Sequence, residues 1–94
     1  MFASSSRFGT PDDLKEMIDE AHGLGLHVLI DTQISHFSKN SQDGISNMNG
    51  KWSQYQYLGE RGDQKEWDVY NFDKTKLEVI RFLLSSLHYY WNEF

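Results

Sequence analysis

The sequence predicts an α/β fold, and three observations carry this prediction. A one-sided apolar pattern over residues 11–22 is typical of an amphipathic helix. A short apolar run at residues 26–31 follows a two-glycine turn and predicts a buried strand. A second, more apolar helix is predicted at residues 75–93. A helix, a tight turn and a buried strand together form half of a β-α-β unit, the building block of parallel sheets.

The helix at residues 11–22 has clear start and stop signals. Thr10 is a favoured N-cap residue, and Pro11 suits the first helical position. Asp13 complements the positive end of the helix dipole, and the glycines of segment 23–25 are typical of a helix end. The apolar stripe consists of Leu14, Met17, Ile18 and Ala21.

The predicted strand ends in two residues that can bind a ligand. Asp31 lies at its carboxyl end, and His36 follows five residues later. Ligands of barrels and open α/β sheets bind at the carboxyl ends of strands, where both side chains can meet a hydroxyl group. Asp31 and His36 are therefore candidate substrate-binding residues. In the alternative, Asp31 merely ends the strand and His36 is an ordinary loop histidine.

Residues 32–72 show no clear periodicity, which predicts a long loop or inserted segment. The segment is rich in aromatic residues. These side chains are suited to stacking on sugar rings, or to pinning the loop to a small core of its own. Trp52 and Trp67 are the candidate sugar-stacking residues.

The helix at residues 75–93 is apolar around most of its circumference. Thr75 and Glu78 have the spacing of a capping box. A helix of this kind needs neighbours on two sides, whereas the chain supplies one predicted helix and one predicted strand to cover it. We therefore expect the 94-residue chain to be part of a longer protein.

Composition argues against several classes of partner. The formal net charge is −5 and the basic residues are scattered, so we expect no binding to nucleic acid and none to membranes. The chain has no cysteine, and the spacing of His22, His27 and His36 fits no compact metal site. We therefore predict no metal and no cofactor.

Four stretches of the sequence resemble the catalytic domain of 1,4-α-glucan branching enzymes, in the α-amylase superfamily. Phe2–Lys15 resembles the family's F-A-A-S-S-R-F/Y-G-T-P-E/D-D-L-K, and Asp19–Asp31 resembles its continuation into the third strand. The segment 77–87, LEVIRFLLSSL, is similar to W-E-V-L-R-F-L-L-S-N-L. The segment 31–36, DTQISH, corresponds to D-V-V-H-S-H, the first signature region of the superfamily, from which Thr32, Gln33 and Ile34 depart.

The resemblance implies a partial (β/α)8 TIM barrel, with residues 1–94 a fragment of the catalytic domain that extends from its second to its third helix. It implies a retaining, double-displacement transfer that cuts α-1,4-glucan chains and makes α-1,6 branches. Asp31 would be the structural acid of the first signature region, and His36 would contact glucose beside the cleaved bond. Ser35 stands where many amylases carry a calcium-binding Asn, so the resemblance implies no calcium site.

The family's catalytic carboxylates lie in later motifs, so we predict no catalytic residue in this chain and no activity for it alone. The expected partners are an α-glucan, glycogen or starch, and the rest of the parent barrel. The expected location is the cytoplasm, or the plastid for a plant-type parent.

Two other hypotheses remain open from the residues. The chain could be a non-catalytic glucan-binding or interaction piece that uses its aromatic loop. It could also belong to an unrelated doubly wound α/β protein. Phosphate sites of such proteins need a glycine-rich turn from strand to helix, whereas the turn at 23–25 joins a helix to the predicted strand.

Overall fold

The computed structural model describes residues 2–39 and 54–94. It divides into two compact units, which are Met1–Thr32 with Ser85–Phe94 and Gln33–Leu84. The helices are α1, Pro11–Gly23, and α2, Leu77–Glu93. The strands are β1, His36–Ser38, β2, Asp63–Gln64, and β3, Val69–Asn71. Short 3-10 turns occupy Ser6–Phe8 and Gly59–Gly62.

Helix α1 lies where the sequence predicts a helix at 11–22, one residue longer at its end. The Thr10 hydroxyl accepts a hydrogen bond from the Asp13 backbone N–H at 3.2 Å, and the Asp13 carboxylate accepts one from the Thr10 N–H at 2.7 Å. This reciprocal capping box satisfies two backbone donors that a helix start otherwise leaves unpaired. At the other end, Leu24 N–H donates to the Glu20 carbonyl, and Gly25 takes a φ of +78°.

The strand predicted at residues 26–31 is absent, and this prediction was wrong for the chain. The segment carries no ladder hydrogen bonds, and the Leu29 side chain is 93% exposed. A strand exists only with a paired neighbour, because its backbone N–H and C=O groups need partners. Within the described part of its unit, no second strand stands beside it.

The segment 32–72, predicted to be a long loop or inserted segment, contains a small antiparallel sheet. Its strand order is β1-β3-β2, so β3 lies in the centre and pairs with both neighbours. Phe37 lies opposite Tyr70, and Gln64 opposite Val69. Strands of two or three residues are too short to show the alternation that identifies strands in a sequence, so the prediction missed them.

The core of unit Gln33–Leu84 is built where this sheet meets the first half of α2. Its buried members are Phe37, Phe72, Val79 and Leu83, with Phe72 and Val79 each only 1% exposed. The Phe37 and Phe72 rings lie 4.7 Å apart, centre to centre. Much of the aromatic content of the predicted loop therefore holds that segment to its own core, one of the two roles expected for it.

Helix α2 begins at Leu77, two residues after the predicted start. The turn before it is capped by Asp73, whose carboxylate accepts hydrogen bonds from the Thr75 N–H at 3.0 Å and the Thr75 hydroxyl at 2.5 Å. These bonds hold the pKa of Asp73 below its ordinary value, with burial acting in the opposite direction. The Thr75 hydroxyl thus donates to Asp73 and does not form the predicted capping box with Glu78. The Glu78 carboxylate accepts a hydrogen bond from Arg81 at 3.1 Å.

Neither helix among residues 2–39 and 54–94 combines the length and the apolar character that a bilayer crossing requires.

Candidate functional site

The site centres on His36, the first residue of β1. Its backbone is fixed by pairing with Asn71 of β3, and its ring is half-buried. The Ser35 hydroxyl lies 2.7 Å from His36 Nδ1, within hydrogen-bond distance. A hydrogen bond at Nδ1 steadies the imidazole and leaves Nε2 for a ligand, which is how a histidine is prepared to contact a sugar hydroxyl.

Trp67 lies beside this histidine. The two ring centres are 5.8 Å apart and the ring planes meet at 52°. The indole is 66% exposed, which is unusual for so large an apolar side chain and leaves a broad flat surface in water. A sugar ring has an apolar C–H face and a rim of hydroxyl groups, so an exposed indole next to an imidazole suits both parts of it.

The turn that carries Trp67 connects β2 to β3. Trp67 N–H donates to the Gln64 carbonyl at 3.3 Å, and Asp68 N–H donates to the Lys65 carbonyl at 3.4 Å. Asp68 takes a φ of +52°, a left-handed conformation that Asp tolerates better than most residues. Four-residue hairpin loops of this kind are commonly built on a tight turn.

Lys39 forms the electrostatic part of the site. Its ammonium group donates to the Asp63 carboxylate, lies 3.4 Å from an Asp68 carboxylate oxygen and stands 5.1 Å from the centre of the Tyr70 ring. The hydrogen bond to Asp63 raises the pKa of Lys39, burial lowers it, and the two negative charges raise it further. Lys39 is therefore held in its charged form.

The four residues predicted for the site have different outcomes. The structure brings His36 and Trp67 together in unit Gln33–Leu84. Asp31 is exposed and belongs to the other unit, and Trp52 lies outside the described residues. No group of three metal-binding side chains occurs in the described ranges.

Sequence reasoning missed the ionic cluster of Lys39, Asp63 and Asp68. Lys39 and Asp63 are 24 residues apart, and no motif spacing links them. Only the fold of the hairpin, which lies beyond local sequence patterns, shows that these charges meet.

The chain was compared with known proteins. No protein-family model matches it. It is 52% identical to a 1,4-alpha-glucan-branching enzyme of Yarrowia lipolytica and 50% identical to one of Dictyostelium discoideum, over 93 residues in each case. It is 47% identical over 96 residues to one of Solanum tuberosum.

Each of these matches covers 99% of the chain but only 11–14% of the relative. The chain thus spans a small part of the length of the curated relatives it matches. The aligned region spans 99% of the chain, so it extends over both His36 and Trp67. By sequence, the chain belongs to the family of 1,4-alpha-glucan-branching enzymes and corresponds to one segment of them.

Proposed function

We propose that this chain is a segment of the catalytic (β/α)8 barrel of a 1,4-alpha-glucan-branching enzyme, and that it supplies part of the α-glucan-binding surface. The observation that carries the proposal is the pairing of the His36 and Trp67 rings, 5.8 Å apart, in a chain that matches branching enzymes over 99% of its length. The indole face packs against the apolar face of a glucose unit, and the imidazole donates to a hydroxyl group.

Bond cleavage belongs to other parts of the parent enzyme. A retaining transfer needs one carboxylate as nucleophile and a second carboxyl group as acid and then base, about 5–5.5 Å apart. Two carboxylates of this hairpin, those of Asp63 and Asp68, are both engaged by Lys39 and are therefore poorly suited to either role. We propose that the chain alone binds glucan without cutting or branching it.

The test combines a binding assay with an activity assay on one preparation of the 94-residue chain. We expect the chain to sediment with glycogen and not with cellulose, whose β-linked chains present a different shape. A branching enzyme would shorten the amylose helices that iodine stains and so lower the absorbance. Because we propose that the chain alone does not branch glucan, we expect the iodine absorbance of amylose to stay unchanged. Branching activity would contradict the assignment of cleavage to other segments, and equal sedimentation with both polymers would contradict specific α-glucan binding.

A further inference from the structure

Trp67 lies in a turn whose own backbone hydrogen bonds are weak. Both backbone hydrogen bonds of the turn are long, at 3.3 and 3.4 Å. Asp68, which ends the turn, has a left-handed backbone and a side chain that is 87% exposed. Short hairpin loops without further support sample several geometries, because a turn alone contributes little energy. A contact from outside the turn can therefore decide whether the indole stays against His36.

Lys39 supplies this contact across the sheet. It follows β1, the strand that carries His36, while its ammonium group meets Asp63 on β2 and Asp68 at the end of the turn. Since the strand order is β1-β3-β2, the side chain must cross the central strand to do so, and it passes over the Tyr70 ring of β3. One side chain therefore ties the histidine strand to β2 and to the end of the Trp67 turn.

The cluster is stronger than an ordinary surface ion pair. Only 22% of the Lys39 side chain and 34% of the Asp63 side chain are exposed, so water screens their attraction less. Without the cation, the carboxylates of Asp63 and Asp68 would lose the positive charge that both contact.

We propose that Lys39 is a positioning residue that holds the Trp67 turn so that the indole stays against His36. The role of this pair in glucan binding rests on the proposed function, whereas the positioning itself can be measured without any glucan. Lys39 does not contact the sugar; it acts through Trp67.

The first experiment measures the geometry by NMR in the full 94-residue chain. The nuclear Overhauser effect between the His36 ring protons and the Trp67 indole protons reports the pairing, and that between the facing residues Phe37 and Tyr70 reports the sheet. We expect Lys39→Met, which keeps the apolar stem over Tyr70 but lacks the charge, to lose the first signal and keep the second. Lys39→Arg, which keeps the charge and can bridge two carboxylates, should restore the first signal.

Three results of this experiment would overturn the proposal. In the first, Lys39→Met keeps the His36–Trp67 signal. In the second, Lys39→Met loses both the His36–Trp67 and the Phe37–Tyr70 signals, which indicates a general role in stability; in the third, Lys39→Arg fails to restore the His36–Trp67 signal. Should Lys39→Met fail to fold, Asp68→Asn takes its place. Asn tolerates the left-handed backbone and removes one of the two charges that Lys39 holds, so we expect a weakened His36–Trp67 signal, and an unchanged signal would count against the proposal.

The second experiment links positioning to binding by a double-mutant comparison. We expect Lys39→Met to weaken glycogen binding roughly five- to tenfold, which corresponds to about 1–1.4 kcal/mol. The same substitution in a Trp67→Ala background should have no further effect, because Lys39 acts only through the indole. Additive losses would show a separate role for Lys39. Absence of glycogen binding by the unaltered chain would refute the proposed function, while the NMR result would still decide the positioning.

Discussion

At the scale of single residues, the chain separates side chains that build a core from side chains that we propose to bind glucan. Phe37 and His36 are neighbours on β1 and point to opposite faces, since side chains alternate along a strand. Phe37 is 6% exposed and packs on Phe72, whereas His36 lies beside the exposed Trp67. Sequence reasoning identified His36 and Trp67 as individuals, but their pairing depends on strand register, which no local pattern specified.

Phe72 is the residue on which unit Gln33–Leu84 depends most. Its ring is 1% exposed and lies 4.7 Å from that of Phe37 and 6.3 Å from that of Phe82. We expect Phe72→Ala to cost about 3–5 kcal/mol, because it leaves a cavity and removes apolar burial. Urea unfolding followed by near-ultraviolet circular dichroism measures the loss. Phe8→Ala is the matched control, since Phe8 is 88% exposed and its removal should change stability by less than about 0.5 kcal/mol.

At the scale of elements, the helices were predictable because their signals are local. Thr10 and Pro11 mark the start of α1, and both its cap and its apolar spacing are contained within a few residues. The strands were not predictable for the opposite reason. The apolar run at 26–31 has the composition of a strand but no partner among the described residues, while β1, β2 and β3 are too short to show a pattern yet find partners through the fold.

The capping box of α1 gives a prediction at this scale. We expect Thr10→Ala to destabilise the helix by about 1 kcal/mol, because the Asp13 N–H loses its acceptor. Thr10→Ser keeps the hydroxyl and should be nearly neutral. Helical circular dichroism during thermal melting compares the two variants, and equal melting of Thr10→Ala and Thr10→Ser would show that the cap does not support the helix.

The capping box of Thr10 and Asp13 makes the stability of α1 depend on pH. Hydrogen bonds from the Thr10 backbone and then from its hydroxyl hold the pKa of Asp13 below its ordinary value of 3.8. A carboxyl group whose pKa is lowered by folding stabilises the fold above the ordinary value and loses this contribution as the pH falls through the folded pKa. Helix content should therefore fall on acidification below pH 3.8. In Asp13→Asn this part of the acid transition should be missing, and an identical acid curve would contradict the assignment.

At the scale of the whole molecule, many large apolar side chains are exposed in the described part of the chain. In the unit formed by Met1–Thr32 and Ser85–Phe94, a groove of about 500 Å³ opens beside exposed apolar side chains. Leu29 is 93% exposed and Trp91 85% exposed, and both line this groove. This surface fits the proposal that the chain is one segment of a larger barrel, in which neighbouring segments cover it.

The exposed groove predicts how the chain behaves in solution. We expect the chain to bind the dye ANS and to aggregate as its concentration rises. We also expect this unit to unfold without a sharp transition, because little apolar area is buried in it. Leu29→Lys should reduce dye binding and aggregation. Arg81→Lys, at a charged and exposed position, is the control and should change neither. A sharp two-state melt of a soluble monomer would contradict this expectation.

The most direct test of the central claim is the affinity of the chain for a maltooligosaccharide, measured by isothermal titration calorimetry with one Trp removed at a time. Trp67 and Trp91 are both exposed, but only Trp67 lies beside His36. We expect Trp67→Ala to weaken binding roughly five- to tenfold, about 1–1.4 kcal/mol, and Trp91→Ala to leave it unchanged. Equal losses in the two variants, or binding that survives Trp67→Ala intact, would show that the His36–Trp67 pair is not the glucan-binding surface.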